Sequence, residues 1–286
     1  MINLKKIRQT KPIKELLQFS IINIDKPSNP TSFDIDQIIK KSLGLKKTSH
    51  FGTLDPKVTG VLPVALDRAC KLMGSFIGKN KSYVGIMRIH EEISEKELKK
   101  ELKNFIGEIT QLPPIKSRVK RQERKRTIHT FKILEIKDRD ILFETEVQAG
   151  TYIRKLIHDL GEKIGGAHML ELRRTKASIF EEKNSHTIYK FLEAIEKYKQ
   201  GNESELRQLL IPGEIISKVL PIIQVRKQFI KKLYHGGPLF KEAIEIPKQK
   251  PEKFALFHKD KFIGIYKTTN EKEIFARSEF VFQPLQ

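Results

Sequence analysis

Apolar residues in this chain come in short bursts, and two spacings alternate along its length. Some recur every three or four positions, as on one face of a helix, and others form brief strand-like runs. No run reaches the roughly 18 uncharged apolar residues that a membrane-spanning helix needs. Ser20–Ile24 reads as a strand ending in the turn Asp25-Lys26-Pro27. Ser32 is expected to cap a helix carrying Phe33, Ile35, Ile38, Ile39 and Leu43, with Gly44 as its stop. A dense loop is expected over 46–63. The clearest helix spans 93–109, with Ser94 and Glu97 as a capping box and Leu98, Leu102, Phe105, Ile106 and Ile109 on one face. Segments 127–136 and 141–148 read as a hairpin. Helix resumes at Thr151, with Ile153, Leu156, Ile157, Leu160 and Ile164 on one side, and Gly165-Gly166 ends it. Two shorter helices follow, near 189–199 and 204–210.

Pro212-Gly213 reads as a boundary. Residues 214–286 hold 14 Lys/Arg against 8 Asp/Glu and short strand-like runs at Phe254–Phe257, Phe262–Tyr266 and Phe280–Phe282. The expected fold class is therefore α+β. A mixed first domain, 1–213, includes an N-terminal extension, 1–19, and a small β-rich module occupies 214–286.

Charge supplies the first functional indication. Lys and Arg outnumber Asp and Glu by 55 to 35, a net charge of +20. Such an excess suits a polyanion, most often nucleic acid, although a lysine-rich proteome with a merely solvated surface gives the same sum. Cys70 stands alone, which excludes an internal disulfide or a cysteine-rich zinc site and favours a reducing intracellular compartment. The basic start, MINLKKIRQTKPIKELL, lacks the apolar core of a signal peptide. His90, His158, His168 and His186 have no metal-ligand spacing, and Cys70 reads as a small buried hydrophobe.

The segment His50-Phe-Gly-Thr-Leu-Asp-Pro-Lys-Val-Thr-Gly-Val-Leu-Pro63 concentrates the chemistry. Asp55 lies between Leu54 and Pro56, in a loop punctuated by Gly52 and Gly60. A carboxylate on such a turn can act as nucleophile or base. An isolated Asp-Pro would more often simply open a turn.

The longer pattern changes that reading. Asp25-Lys-Pro with Pro30-Thr-Ser, the His50–Pro63 segment, Lys81-x-Tyr83 and Gly150-Thr-Tyr-Ile-Arg154 occur in this order. Together they resemble the TruB class of RNA pseudouridine synthases, from about Ile21 to Arg174. The stretch Gln111-Leu-Pro-Pro-Ile-Lys-Ser-Arg-Val-Lys-Arg-Gln-Glu-Arg-Lys-Arg-Thr-Ile128, with Ala149–Arg154 and Met169-Leu-Glu-Leu-Arg-Arg174, is similar to the archaeal and eukaryotic dyskerin-type branch, the catalytic subunit of H/ACA ribonucleoproteins. With no long Lys/Glu-rich tail, the archaeal type is the closer likeness.

The resemblance implies a mainly antiparallel catalytic sheet and an isomerase, an intramolecular transferase that turns uridine in rRNA or tRNA into pseudouridine without cofactor or metal. It also implies H/ACA guide RNA and small accessory proteins as partners, no membrane, and a cytoplasmic location (nucleolar in a eukaryote). By motif, Asp55 is the catalytic carboxylate, Tyr83 stacks on the extracted base, and Arg154 pairs with Asp55. His50 holds the place the uridine vacates, Lys26 supports the pocket, and Tyr152 and Leu172 wall it, although core packing explains those two equally well. Residues 214–286 take the place of a PUA domain.

The physical chemistry agrees with this assignment. A target base must leave its stack to be reached, an aromatic face recovers part of the lost stacking, and an arginine keeps a semi-buried Asp ionised. Lys116, Arg118, Lys120, Arg121, Arg124, Lys125 and Arg126 are the expected RNA-backbone contacts, against the alternative of a solvated loop. Two family glycines are replaced here, by Asn29 and Ser49, and His129 stands where an aromatic is common. Two other functions remain open at this stage: a stand-alone tRNA T-loop synthase, and a non-catalytic RNA-binding scaffold, against which the Asp55, Tyr83 and Arg154 set argues. A glycoside hydrolase would need a second placed carboxylate, and Asp25 suits a turn better.

Overall fold

The computed structural model describes residues 2–113 and 120–283. Its central feature is an eleven-stranded sheet, in which eight strands lie in the order His186–Thr187, Ser20–Lys26, Thr59–Leu66, Ala167–Ala177, Lys81–Ile89, Asp140–Val147, Arg124–Lys137, Gly107–Gln111. Neighbours on this path run antiparallel except at two short joins: His186–Thr187 beside Ser20–Lys26, and Thr59–Leu66 beside Ala167–Ala177. The second parallel join matters for function. It sets Gly60 opposite Arg174, and the antiparallel pairing on the other side sets Tyr83 opposite the same Arg174. Gly60, Arg174 and Tyr83 therefore lie abreast on three adjacent strands.

Side chains alternate across a strand, so each of the central strands serves two cores. Ile22, Ile24, Leu62, Val64 and Leu66 face a cluster with helical residues Ile35, Ile39, Leu156, Ile157 and Phe191. Ile21, Val61 and Ala65 face a second cluster, which contains Phe19, Phe51, Phe76 and Phe180. Burial on both faces explains why the apolar residues Ile21, Ile22 and Ile24 of this strand do not alternate strictly with polar ones.

A second sheet of five strands follows, in the order Ile222–Gln224, Lys253–His258, Lys261–Thr268, Ile274–Val281, Leu239–Phe240. Its Ala255, Phe257, Phe262 and Ile265 enter the cluster of Phe19 and Ile21. The Phe19 and Phe262 rings stack at 5.3 Å. Phe254, Leu256, Ile263 and Tyr266 point to the opposite face and make a third cluster with Leu233 and Phe275. The chain does not loosen at the Pro212-Gly213 position: Pro212 pairs with Ser20, and the Gly213 N–H donates to the Phe19 carbonyl at 2.8 Å.

Several expected elements are shifted. The cap of helix Ser32–Leu43 is Thr31, in a capping box with Asp34, and Ser32 is the first helical residue; Gly44 does end the helix, at φ +64°. Segment 46–63 is only partly loop, because Thr48–His50 pairs with Thr59–Leu66. The helix expected over 93–109 starts from the expected capping box but covers only Glu95–Asn104. Gly107, at φ +106°, breaks the helical path, and Gly107–Gln111 joins the sheet, taking Ile109 with it. The helix expected from Thr151 is Ile153–Gly161. Past it the chain makes one turn that Gly165-Gly166 close as expected, with Gly165 at φ +78° and the Gly166 N–H donating back to the Gly161 carbonyl at 2.7 Å. The extension 1–19 folds into two short helices, Leu4–Thr10 and Ile13–Gln18.

Candidate active site

Asp55 stands on the loop between Thr48–His50 and Thr59–Leu66, where the Val58 N–H donates to the Asp55 carbonyl at 3.0 Å and closes a turn around Pro56. The path of that loop is fixed chiefly through its main chain. Ser32 Oγ donates to the Leu54 carbonyl at 3.1 Å and accepts from the Leu54 N–H at 2.8 Å. Lys26, with no exposed surface, donates its ammonium to the carbonyls of Pro27, Pro30 and Pro56 at 2.7, 2.8 and 2.9 Å. Burial pulls the Lys26 pKa down, and the nearby carboxylates of Asp34 and Asp55 oppose that pull. Arg174, 1% exposed, donates from Nε to the Val61 carbonyl at 2.8 Å and from Nη2 to the Gly52 carbonyl at 2.9 Å. Its pKa too is lowered by burial, while Tyr83 acts against this through charge and a side-chain hydrogen bond. Glycine is required at position 60: φ is +100°, and an added Cβ would lie 2.2 Å from the Arg174 carbonyl oxygen.

Arg154 Nη2 meets Asp55 Oδ2 at 3.0 Å, as the sequence suggested, but the pair is not buried. The two side chains are 63% and 56% exposed, because Arg154 leaves the first turn of helix Ile153–Gly161 on the side away from its apolar stripe. Gln111, buried at the end of its strand, fixes the start of that helix. Its amide accepts from the Tyr152 N–H at 3.0 Å and donates to the Tyr152 carbonyl at 3.2 Å. Tyr152 itself is half-buried. Tyr83 is 7% exposed, on a strand register that aims it at Arg174, and Leu172 is buried in the main core. His50 is held between Asp36, Nδ1 to Oδ2 at 2.7 Å, and Thr53, Nε2 to Oγ1 at 3.0 Å.

The two glycine replacements have separate solutions. Asn29 takes φ +89°, a region that asparagine tolerates better than most residues, and its N–H donates to the Pro56 carbonyl at 3.0 Å. Ser49 lies in a strand opposite Ala65, where no special backbone angle is needed.

The basic stretch does not behave as one loop. Lys116 and Arg118 lie outside the described residues. Lys120 and Arg121 are exposed, whereas Arg124, Lys125 and Arg126 begin the long strand Arg124–Lys137. Lys125 is paired with Glu108 at 2.7 Å. The Arg126 guanidinium lies beside Gly150, 3.1–3.4 Å from where a Cβ would be, and so reaches the loop that leads to Arg154.

Residues absent from the expected set carry much of the site's order: Arg174, Gln111, Ser32, Asp36 and Lys81. The Lys81 ammonium donates to the carbonyls of Ile77 and Lys79 at 2.9 and 3.0 Å, and burial, aided by the Arg174 charge, lowers its pKa to about 8. Asp25 is not free for catalysis, since Arg173 holds it through two bonds at 2.9 and 3.0 Å. The Cys70 thiol is pushed up to about 11 by burial, which makes it a poor nucleophile.

The histidines are less scattered than their spacing suggests: His90 Nε2 and His168 Nδ1 meet at 2.8 Å across adjacent strands. Among the described residues, His158, Asp159 and Glu162 form the one group of three with metal-ligand proximity, on an exposed helix face where Lys155 already engages Asp159. No helix among the described residues is long and apolar enough to cross a membrane.

On this mixed sheet the turn that carries Asp55 is braced through its main chain and meets Arg154, an arrangement that the sequence resemblance associates with the pseudouridine synthase class of RNA-modifying enzymes. The comparisons place the chain within it. Residues 40–101 and 89–153 match the N-terminal domain of the TruB family of pseudouridylate synthases, and 154–217 match the tRNA pseudouridylate synthase B C-terminal domain. A probable tRNA pseudouridine synthase B of Methanopyrus kandleri is 45% identical over 233 residues, 81% of this chain and 69% of that protein. The corresponding protein of Methanocaldococcus jannaschii is 42% identical over 234 residues, 81% and 70% of the two chains. Among solved structures, a Cbf5–Nop10–Gar1 complex matches with TM-score 0.88 and 36% identity, covering 97% of this chain and 89% of that one. An H/ACA RNP bound to a substrate RNA containing 2'-deoxyuridine matches with TM-score 0.87 and 34% identity, covering 97% and 89%. The chain belongs to the TruB family and is a pseudouridine synthase, an RNA isomerase with a mixed α+β fold.

Proposed function

We propose that this synthase works on uridines chosen by an H/ACA guide RNA, together with small accessory proteins, in the cytoplasm. The observation that carries this reading is the extent of the likeness to chains solved in H/ACA assemblies, 97% of this chain and therefore both sheets. A stand-alone tRNA synthase would share the Asp55 turn but has no need of that whole-chain likeness. The domain division follows the same reading: 1–213 performs the isomerisation, and 214–286 is a PUA-like module that grips guide RNA.

In the reaction, the C1'–N1 glycosidic bond breaks, the freed uracil turns, a C1'–C5 bond forms, the C5 proton leaves to solvent and N1 takes up a proton, so that the product is an isomer of the substrate. Asp55 supplies the carboxylate that starts this sequence. Arg154 holds it in place through the ion pair, and the exposed pair gains strength when RNA covers it and excludes water. Tyr83 stacks against the extracted base, Leu172 and Tyr152 wall the pocket, His50 fills the space the uridine leaves, and Lys26 braces the turn. The basic residues from Lys116 to Arg126 track phosphates and position the RNA without reading its sequence.

The test is tritium release from RNA labelled at uridine C5, with and without guide RNA and accessory proteins. Release that requires the guide supports the proposal. Full activity on bare tRNA alone would replace it with the stand-alone reading.

A further inference from the structure

Two neighbouring arginines on strand Ala167–Ala177 point to opposite faces and are treated differently. Arg173 is half-exposed and makes ion pairs with Asp25 and Glu182. Arg174 is 1% exposed, and among the described residues no carboxylate pairs with it. Burying a charge without a counter-charge is costly unless hydrogen bonds satisfy it. Here the partners that satisfy it all belong to one structure. The Gly52 carbonyl precedes Asp55 by three residues, the Val61 carbonyl follows it by six, and Tyr83 lies alongside.

We infer that Arg174 is the positioning residue of the active site, clamping both ends of the Asp55 loop and setting Tyr83 against it, an inference that rests on the reading of Asp55 as the catalytic carboxylate. The loop's middle is pinned separately, at Leu54 by Ser32 and at Pro56 by Lys26. Its two ends have Arg174 in common. A planar guanidinium can reach two divergent carbonyls at once through Nε and Nη2. A lysine at this position would have to meet both carbonyls from one nitrogen, whereas the guanidinium reaches them from two separate nitrogens. The strand register builds the clamp, since Gly60 and Tyr83 both stand opposite Arg174 and Gly60 leaves no room for the strands to shift apart around a Cβ.

The experiment compares Arg174→Lys and Arg174→Ala with wild type in the full assembly, well below each variant's melting temperature, and measures single-turnover rate and RNA affinity separately. Misplacing a reacting group by about 1 Å can cost about 100-fold, so Arg174→Lys should lose rate on that scale while its RNA affinity stays unchanged. Added guanidinium should restore part of the rate to Arg174→Ala and none to Asp55→Asn. If Arg174→Ala does not fold, Arg174→Lys carries the test alone. A folded Arg174→Lys that turns over at the wild-type rate, or whose loss lies entirely in RNA affinity, overturns the inference. An active Asp55→Asn would instead overturn the reading of the site itself, so the two failures are distinguishable.

Discussion

At the scale of single residues, exposure decides what each charge is worth. The Asp55–Arg154 pair lies in water, so Asp55→Asn and Arg154→Ala should each change stability by less than about 1 kcal/mol, the usual range for exposed pairs. Both should abolish or nearly abolish tritium release. Urea titration beside the activity assay checks this, and a loss of several kcal/mol in either variant would mean that the pair is buried in solution. Lys81 behaves in the opposite way. Its pKa is pushed from the ordinary 10.5 to about 8, mainly by burial. Between those values the unfolded chain holds a proton that the folded one has released, so its contribution to stability rises with pH across that window. Below about pH 8 both states are protonated, and the cost of burying the charge is felt in full. The stability of wild type relative to Lys81→Met should therefore improve between pH 7.5 and 9.5. A constant difference would place the Lys81 titration elsewhere.

At the scale of elements, the sheet register is what brings the site together. Gly60→Ala forces both an unfavourable backbone angle and a clash with the neighbouring strand, and should cost more than about 3 kcal/mol, among the larger single-residue effects. Thermal melting of the variant gives the answer. On the strand Arg124–Lys137, Arg124→Gln and Arg126→Gln should each flatten the salt dependence of RNA binding by roughly 0.7–0.9 per lost phosphate contact. Lys125→Gln should do less, because Glu108 already neutralises that lysine. The strand at 20–24 and the hairpin over 127–136 and 141–148 were legible from local spacing, as were the Ser94–Glu97 cap and the Gly44 stop, whereas Thr59–Leu66, Lys81–Ile89 and Ala167–Ala177, the strands that assemble the site, were not. The helix at 93–109 was overextended because Ile106 and Ile109 keep a helical spacing beyond Gly107, and spacing alone does not register a backbone turn at φ +106°. Asp55 and Arg154 were legible as a pair through their motifs. The role of Arg174 is not legible in its own motif, because it comes from strands Thr59–Leu66 and Lys81–Ile89, which are distant in sequence and lie beside it only in the sheet. The exposure of Arg154 follows from the same helical spacing, because Ile153, Leu156, Ile157 and Leu160 mark the buried side and Arg154 falls off it.

At the scale of the whole molecule, the change of composition at Pro212-Gly213 does not coincide with a gap in packing. Phe19 and Ile21 share one apolar cluster with Phe257, Phe262 and Ile265. Phe262→Ala should cost about 3–5 kcal/mol, as large-to-small changes in a packed core do. It should also lower a single melting transition seen equally by probes in both sheets. Two separate transitions would show that the sheets unfold independently. Removing residues 214–286 outright would expose that shared cluster, so loss of RNA binding in such a truncation would not by itself locate the guide-binding surface. Both faces of the second sheet are buried, so substitutions at its exposed strand-end residues, such as Lys261 and Lys267, are the cleaner test of guide recognition.

The way the Asp55 loop is held also bears on how sequences in this family can drift. Lys26 and Arg174 between them take five main-chain carbonyls: Pro27, Pro30, Pro56, Gly52 and Val61. Every residue type offers a carbonyl, so neither cation selects the side chains around it. Val61 answers to the apolar cluster it enters and Gly52 to its backbone angle, independently of the charge that holds them. Mutational tolerance around the loop should therefore be uneven: two cations that admit no substitute, Asp55 and the positive-φ glycines Gly52 and Gly60 fixed for their own reasons, and the remaining positions free to vary as long as the chain keeps its path.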